Sequence, residues 1–176
     1  MTTFGLIMSG FMLLVSHLGE MDPSITPRMP VLNSPLLSIH VSIIMMSYAL
    51  LSLTFISAIA YFFTRNSKRE SVISVNKQLT DLSQIFLYPA ITTLGLGIFI
   101  GAIWANISWG TYWGWDPKET WALITFLIYA IPLHTNSLPA LRKPEKYHFF
   151  MLLSFLSILM TYFGVNYILE IGRAHV

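Results

Sequence analysis

Five long stretches of this chain carry no Asp, Glu, Lys or Arg, and nothing else in it constrains the fold as much: 1–19, 29–64, 82–115, 120–141 and 147–169. An ionised side chain at the centre of a bilayer costs roughly 2.5–3.5 kcal/mol. A spanning helix needs about 20 mainly apolar residues, so each stretch can hold one. Composition agrees, with 55% hydrophobic and 10% charged residues, where a soluble domain carries about 25% charged. The expected fold class is therefore all-α, a polytopic transmembrane bundle of about five spanning helices. Two stretches exceed one span. Pro30 and Pro35 before the second helix, and the Gly/Trp run after the third, mark the surplus as loop. The helices are expected near 3–18, 37–63, 86–105, 117–135 and 147–168. The first lacks the basic start and small-residue cleavage site of a signal peptide.

Orientation follows from the basic residues. Arg65, Lys68, Arg69 and Lys77 lie in the expected loop 64–85, and Arg142, Lys143 and Lys146 in the loop 136–146. Arg28 and Lys118 lie on the other side. Both basic loops are expected in the cytoplasm, which puts 19–36 and 106–116 outside, the N-terminus inside and the C-terminus outside. A net charge of +2, scattered along the chain, is too weak for the basic stripe that nucleic acid requires. There is no cysteine. Disulfides, thiolate catalysis and Cys-held metal clusters are excluded, and His remains the one strong nitrogen donor for a metal or haem.

All five tryptophans fall between Trp104 and Trp121. Trp104 and Trp121 suit the aromatic belt at the headgroups. The run Trp109-Gly110-Thr111-Tyr112-Trp113-Gly114-Trp115-Asp116 is denser. Gly110 and Gly114 admit close approach to the backbone, and Trp109, Tyr112, Trp113 and Trp115 offer flat faces for a planar apolar ligand such as a porphyrin. An elaborate interfacial anchor accounts for the same residues. Asp116-Pro117-Lys118-Glu119 reads as a capping-box start to the next helix, with Asp116 as N-cap.

Among the histidines, His40 is expected at the outer end of the second helix, on the side of the tryptophan run, where it can ligate an iron or simply bond water or a carbonyl. His134 is eighteen residues beyond Asp116, about 27 Å of helix, so it is expected near the cytoplasmic side, as a functional ionisable group or a structural one. His17 and His148 read as structural. The final heptapeptide, 170–176, resembles a translated sequencing adapter and is expected to be a non-native tail, which removes His175 as a ligand. The domain proper is then 1–169.

The run 109–116, continued by Pro117-Lys118-Glu119-Thr120-Trp121-Ala122 and Tyr129-Ala130-Ile131-Pro132-Leu133-His134-Thr135, resembles the tryptophan-rich signature of the cytochrome c assembly family, which includes the CcmC, CcmF and CcsA types. The likeness is to the CcsA type and spans about 30–169, with Leu37-Ser38-Ile39-His40-Val41-Ser42 and Tyr162-Phe163-Gly164-Val165-Asn166 also matching. The resemblance implies that the external loop cradles haem b as cargo and that His40 is one of two external axial ligands. The second belongs just after the last helix, where the foreign-looking tail stands. His134 matches an intramembrane histidine that holds haem near the inner face. The implied function is system II haem export across the inner (cytoplasmic) membrane and thioether formation on a Cys-x-x-Cys-His apocytochrome c, as part of a haem lyase complex. A ResB-type partner or fused domain and a separate thioredoxin-like thiol reductant are implied too. From another class, a b-type electron-transfer subunit would need histidine pairs at equal depth, such as His134 with His148 or His17 with His40. A transporter would need an inverted repeat or matching broken helices, and neither is visible.

Overall fold

The computed structural model describes residues 34–67, 69–134 and 137–169, with side chains to Val165. The expected first helix, His17 and the tail 170–176 lie outside these residues. Every regular element described is helical.

Helix α1 spans Pro35–Thr64. Ser34 caps it, its hydroxyl accepting from the Leu36 N–H at 3.2 Å, and Pro35 occupies the first turn, where a missing N–H costs nothing. Helix α2 runs from Glu70 to Trp109, 40 residues or about 60 Å, twice the hydrocarbon thickness of roughly 30 Å. The expected loop 64–85 is thus mostly helix, and a turn of only a few residues separates α1 from α2. Charge limits how deep a segment can sit in the bilayer and does not prevent it from being helical. The first turns of α2 are held by a stripe at helical spacing, Val72, Asn76, Leu79, Ser83 and Leu87, which turns inward while Lys77 and Asp81 face out. Gly110 closes α2 with φ of 79°, and its N–H bonds the Asn106 carbonyl at 2.9 Å. Glycine fits this left-handed cap without a Cβ penalty.

Helix α3, Pro117–Ala130, gives way to a 3-10 turn at Ile131–His134 instead of continuing to 135. Pro132 lacks the N–H that the α ladder requires there. After a second 3-10 turn at Pro139–Arg142, α4 covers Pro144–Leu159 and widens into a π-helix over Met160–Leu169. Among the described residues, three helical segments, Pro35–Thr64, Glu70–Trp109 and Pro144–Val165, are long and apolar enough to cross a membrane. Helix α3 with its 3-10 turn reaches about 29 Å at 1.5 and 2.0 Å per residue.

Helix α1 packs along α2 and against α4, and α3 fills the remaining side against α2 and α4. The core is built from Leu51, Leu87, Leu94, Tyr129, Met151 and Phe155, with Phe55 stacked on Phe155 at 4.1 Å. Two buried hydroxyl contacts lie within it, Ser47 donating to the Ala90 carbonyl at 2.8 Å and Thr125 meeting Thr161 at 3.0 Å, while the Tyr129 hydroxyl is buried without a partner among the described residues. Arg65, just past α1, pairs with Glu145 in the first turn of α4. That contact brings the two basic segments to one end of the bundle, as the count of Lys and Arg requires.

Candidate functional site

The opposite end is where the start of α1, the end of α2, the start of α3 and the π-helical end of α4 converge. They enclose a cavity of about 470 Å³, open to one side, within the usual range for small-molecule sites of roughly 300–1,000 Å³. Of the residues singled out in the sequence, it is lined by His40, Trp113 and Asp116; Trp104, Tyr48 and Tyr162 add aromatic wall.

Each lining group is held by its own element. One turn and a half into α1, the His40 ring lies against α2, with Nδ1 2.7 Å from the carbonyl oxygen of Gly97. Trp104 comes from the last turns of α2, on the face that also carries Gly97 and Gly101. Trp113 belongs to the connection between α2 and α3. The indole Nε1 atoms of Trp104 and Trp113 are both buried, and neither has a hydrogen-bond partner among the described residues.

The connection itself is fastened to the helix that follows. Asp116 Oδ1 accepts from the Glu119 N–H at 2.9 Å, as an N-cap should. Glu119 departs from the expected capping box, because its Oε2 accepts from the Gly114 N–H at 2.8 Å instead of from the cap residue. Two carboxylates thus hold the tryptophan run to the start of α3. Between them Trp115 takes φ of 56°, left-handed backbone that is uncommon outside glycine. A bulky residue kept there costs on the order of 1–3 kcal/mol, supplied by its surroundings. Asp116→Ala should remove the cap and lower stability by about 0.5–2 kcal/mol; a thermal or chemical unfolding midpoint equal to the parent's would contradict this assignment.

The remaining sequence candidates stand apart from the cavity. Trp109, Tyr112 and Trp115 are more than 60% exposed. Trp109 sits edge-on to Trp104 at 6.4 Å, and Trp115 edge-on to Trp113 at 5.8 Å, so two of the three exposed rings lean on one that lines the cavity. Gly110 has open space around it, and Gly114 serves through its N–H. His134 is exposed on the 3-10 turn at the other end of α3, with Nδ1 3.0 Å from the Ala130 carbonyl. His148 is fully buried, bonded to Thr80 at 3.0 Å and stacked on Tyr61 at 4.3 Å. His134 and His148 therefore do not face each other as the electron-transfer reading requires.

Sequence reasoning missed Trp104, Tyr48 and Tyr162. The spacing 97, 101, 104, 105 was available for Trp104, since it marks one helical face. Tyr162 lay in a fragment that the family resemblance had already picked out, but no spacing rule aimed it at the cavity, since it stands in the π-helix.

An iron porphyrin needs a nitrogen donor with a lone pair, flat aromatic walls and an open side, and His40, Trp104, Trp113 and Tyr48 are chemically suited to it. Comparisons with known proteins give the family. A sequence profile described as "Cytochrome C assembly protein" matches residues 1–171. The chain is 43% identical over 171 residues to Protein NrfI of Wolinella succinogenes, covering 93% of this chain and 18% of that one. It is 35% identical over 170 residues to the cytochrome c biogenesis protein CcsA of Mesostigma viride, with 80% of this chain and 55% of the relative covered. For CcsA of Oryza sativa subsp. indica the identity is 34% over 196 residues, 88% and 60% covered. The chain thus spans little more than half the length of these CcsA relatives and under a fifth of NrfI. With spanning helices, the tryptophan run and a match over nearly its whole length, this chain belongs to the cytochrome c assembly protein family.

Proposed function

We propose that the chain presents haem b, as cargo, at the end of the bundle bearing the tryptophan run, for covalent attachment to an apocytochrome c on the external, periplasmic side of the cytoplasmic membrane. The observation that carries this reading is the convergence of His40, Trp104 and Trp113 on one open cavity. Bound haem would supply the vinyl groups that become thioethers with the two thiols of a Cys-x-x-Cys-His segment. The residues of this chain position the ring and take no part in the bond-making. His40 offers its imidazole to the iron, while Trp113 and Trp104 give the ring flat apolar contact. Asp116 and Glu119 keep the tryptophan connection in place, so that the orientation is set before the acceptor arrives. Trp109, Tyr112, Trp115, Gly110 and Gly114 form the outer rim, where the acceptor polypeptide approaches.

His134, at the opposite and basic end, is the candidate for holding haem near the cytoplasmic face before export. With no cysteine of its own, this chain cannot keep acceptor thiols reduced, so a thioredoxin-like reductant is part of the proposal. A ResB-type partner or fused domain would supply the remaining haem ligands.

The test is an absorption spectrum of the full-length protein purified in detergent after haem feeding, beside His40→Ala. A Soret band that weakens or shifts in the variant is expected. Identical spectra from both would remove His40 from the iron, and a colourless parent protein would leave the tryptophan run as a membrane anchor.

A further inference from the structure

Helix α2 carries two glycines one turn apart, Gly97 and Gly101, on the face that meets α1. A Cβ built on Gly101 would lie 2.6 Å from Cε1 and 2.8 Å from Nδ1 of His40, closer than real Cβ atoms come to anything. At Gly97 a Cβ would lie 2.5 Å from Cδ1 of Ile44, one helical turn along α1 from His40. The two bare positions let α1 approach α2 closely and let the imidazole lie on the backbone of α2. Gly97 also supplies the carbonyl, 2.7 Å from Nδ1.

A carbonyl oxygen only accepts. The short contact to it therefore places a proton on Nδ1, and a neutral imidazole protonated there keeps its lone pair on Nε2. We propose that Gly101, with the Gly97 carbonyl, is a positioning element that fixes His40 as its Nδ1–H tautomer and so presents Nε2 as the iron-binding nitrogen. This rests on the haem reading of the cavity for its purpose, though not for its geometry. The carbonyl does for the imidazole what second-sphere acceptors do at metal-binding histidines: it sets the ring orientation and raises the basicity of the ligating nitrogen. Gly101 is required because any side chain there occupies the space of the ring, and a ring pushed aside loses the carbonyl. The third glycine of α2 lacks this role. The Cβ position of Gly95 faces the Phe126 ring at 3.1 Å and not His40.

The first readout needs neither haem nor a folded glycine variant. Nitrogen-15 NMR of the haem-free full-length protein labelled at histidine should show a neutral ring protonated at Nδ1 that disappears in His40→Gln, separate from the one that the Ala130 carbonyl gives His134. A His40 ring protonated at Nε2, or at both nitrogens, overturns the proposal. The second readout compares Gly101→Ala with Gly95→Ala. In Gly101→Ala the Nδ1–H signature should be lost and haem should bind about 10–100-fold more weakly, the usual effect of losing such an outer partner, while Gly95→Ala keeps both. A Gly101→Ala protein with the parent signature and affinity overturns the role of Gly101. If instead His40→Gln itself binds haem like the parent, His40 is not the ligand and the haem reading fails, whereas the wild-type spectrum still decides the tautomer.

Discussion

Trp113→Ala in the full-length protein is expected to weaken haem binding about thirtyfold, and Trp115→Ala only about threefold, although the two residues stand two positions apart in one aromatic run. Trp113 lines the cavity with its indole nitrogen buried. An aromatic side chain buries roughly 150–250 Å²; if about 80 Å² of that faces the cargo, its loss at 25 cal/mol/Å² is near 2 kcal/mol. At about 1.4 kcal/mol per tenfold this is a factor of roughly thirty. Trp115 is 70% exposed. Its contribution passes through the edge-on contact with Trp113 at 5.8 Å, and aromatic pairs of this kind are worth roughly 0.5–1.5 kcal/mol. The lower end applies because water reaches the outer ring. Haem titration in nanodiscs, followed at the Soret band, separates the two. Equal losses would mean that the run acts as one platform, with the cavity having no special place in it.

The difference between these neighbours shows what the sequence could disclose. Charge-free stretches located α1 within two residues at its start and one at its end, because the bilayer penalty on ions acts on sequence directly. Asp116 as N-cap was equally legible, since the caps of a helix are local. The length of α2 was hidden. Its first fifteen residues carry charges, and only the inward stripe of Val72, Asn76, Ser83 and Leu87 reveals the helix. Division of labour within the tryptophan run was hidden for another reason. Which ring faces inward depends on the left-handed backbone of Trp115 and on Glu119 reaching back to Gly114, and neither follows from composition. The partner of His40 lay furthest from view, 57 positions away on another helix. No spacing rule within α1 points to it.

Phe155→Ala should destabilise the bundle by about 2 kcal/mol, while Leu156→Ala, the next residue along α4, should change stability by less than about 0.5 kcal/mol. In water a buried Phe→Ala change costs about 3–5 kcal/mol, because lost transfer from water adds to the cavity left behind. A membrane helix has no such transfer term to lose, since lipid tails are as apolar as the core. What remains is the cavity. Removing the ring leaves about 100 Å³, and at 24 cal/mol/Å³ that amounts to roughly 2.4 kcal/mol before any collapse. Phe155 is 9% exposed and stacked on Phe55, so the hole opens between α1 and α4. Leu156 is 59% exposed and faces lipid, which refills the space. Reversible unfolding in mixed micelles measures both variants. Equal costs would contradict the packing of α4, and a cost near 4 kcal/mol at Phe155 would mean that this face meets water and not a lipid-sealed bundle.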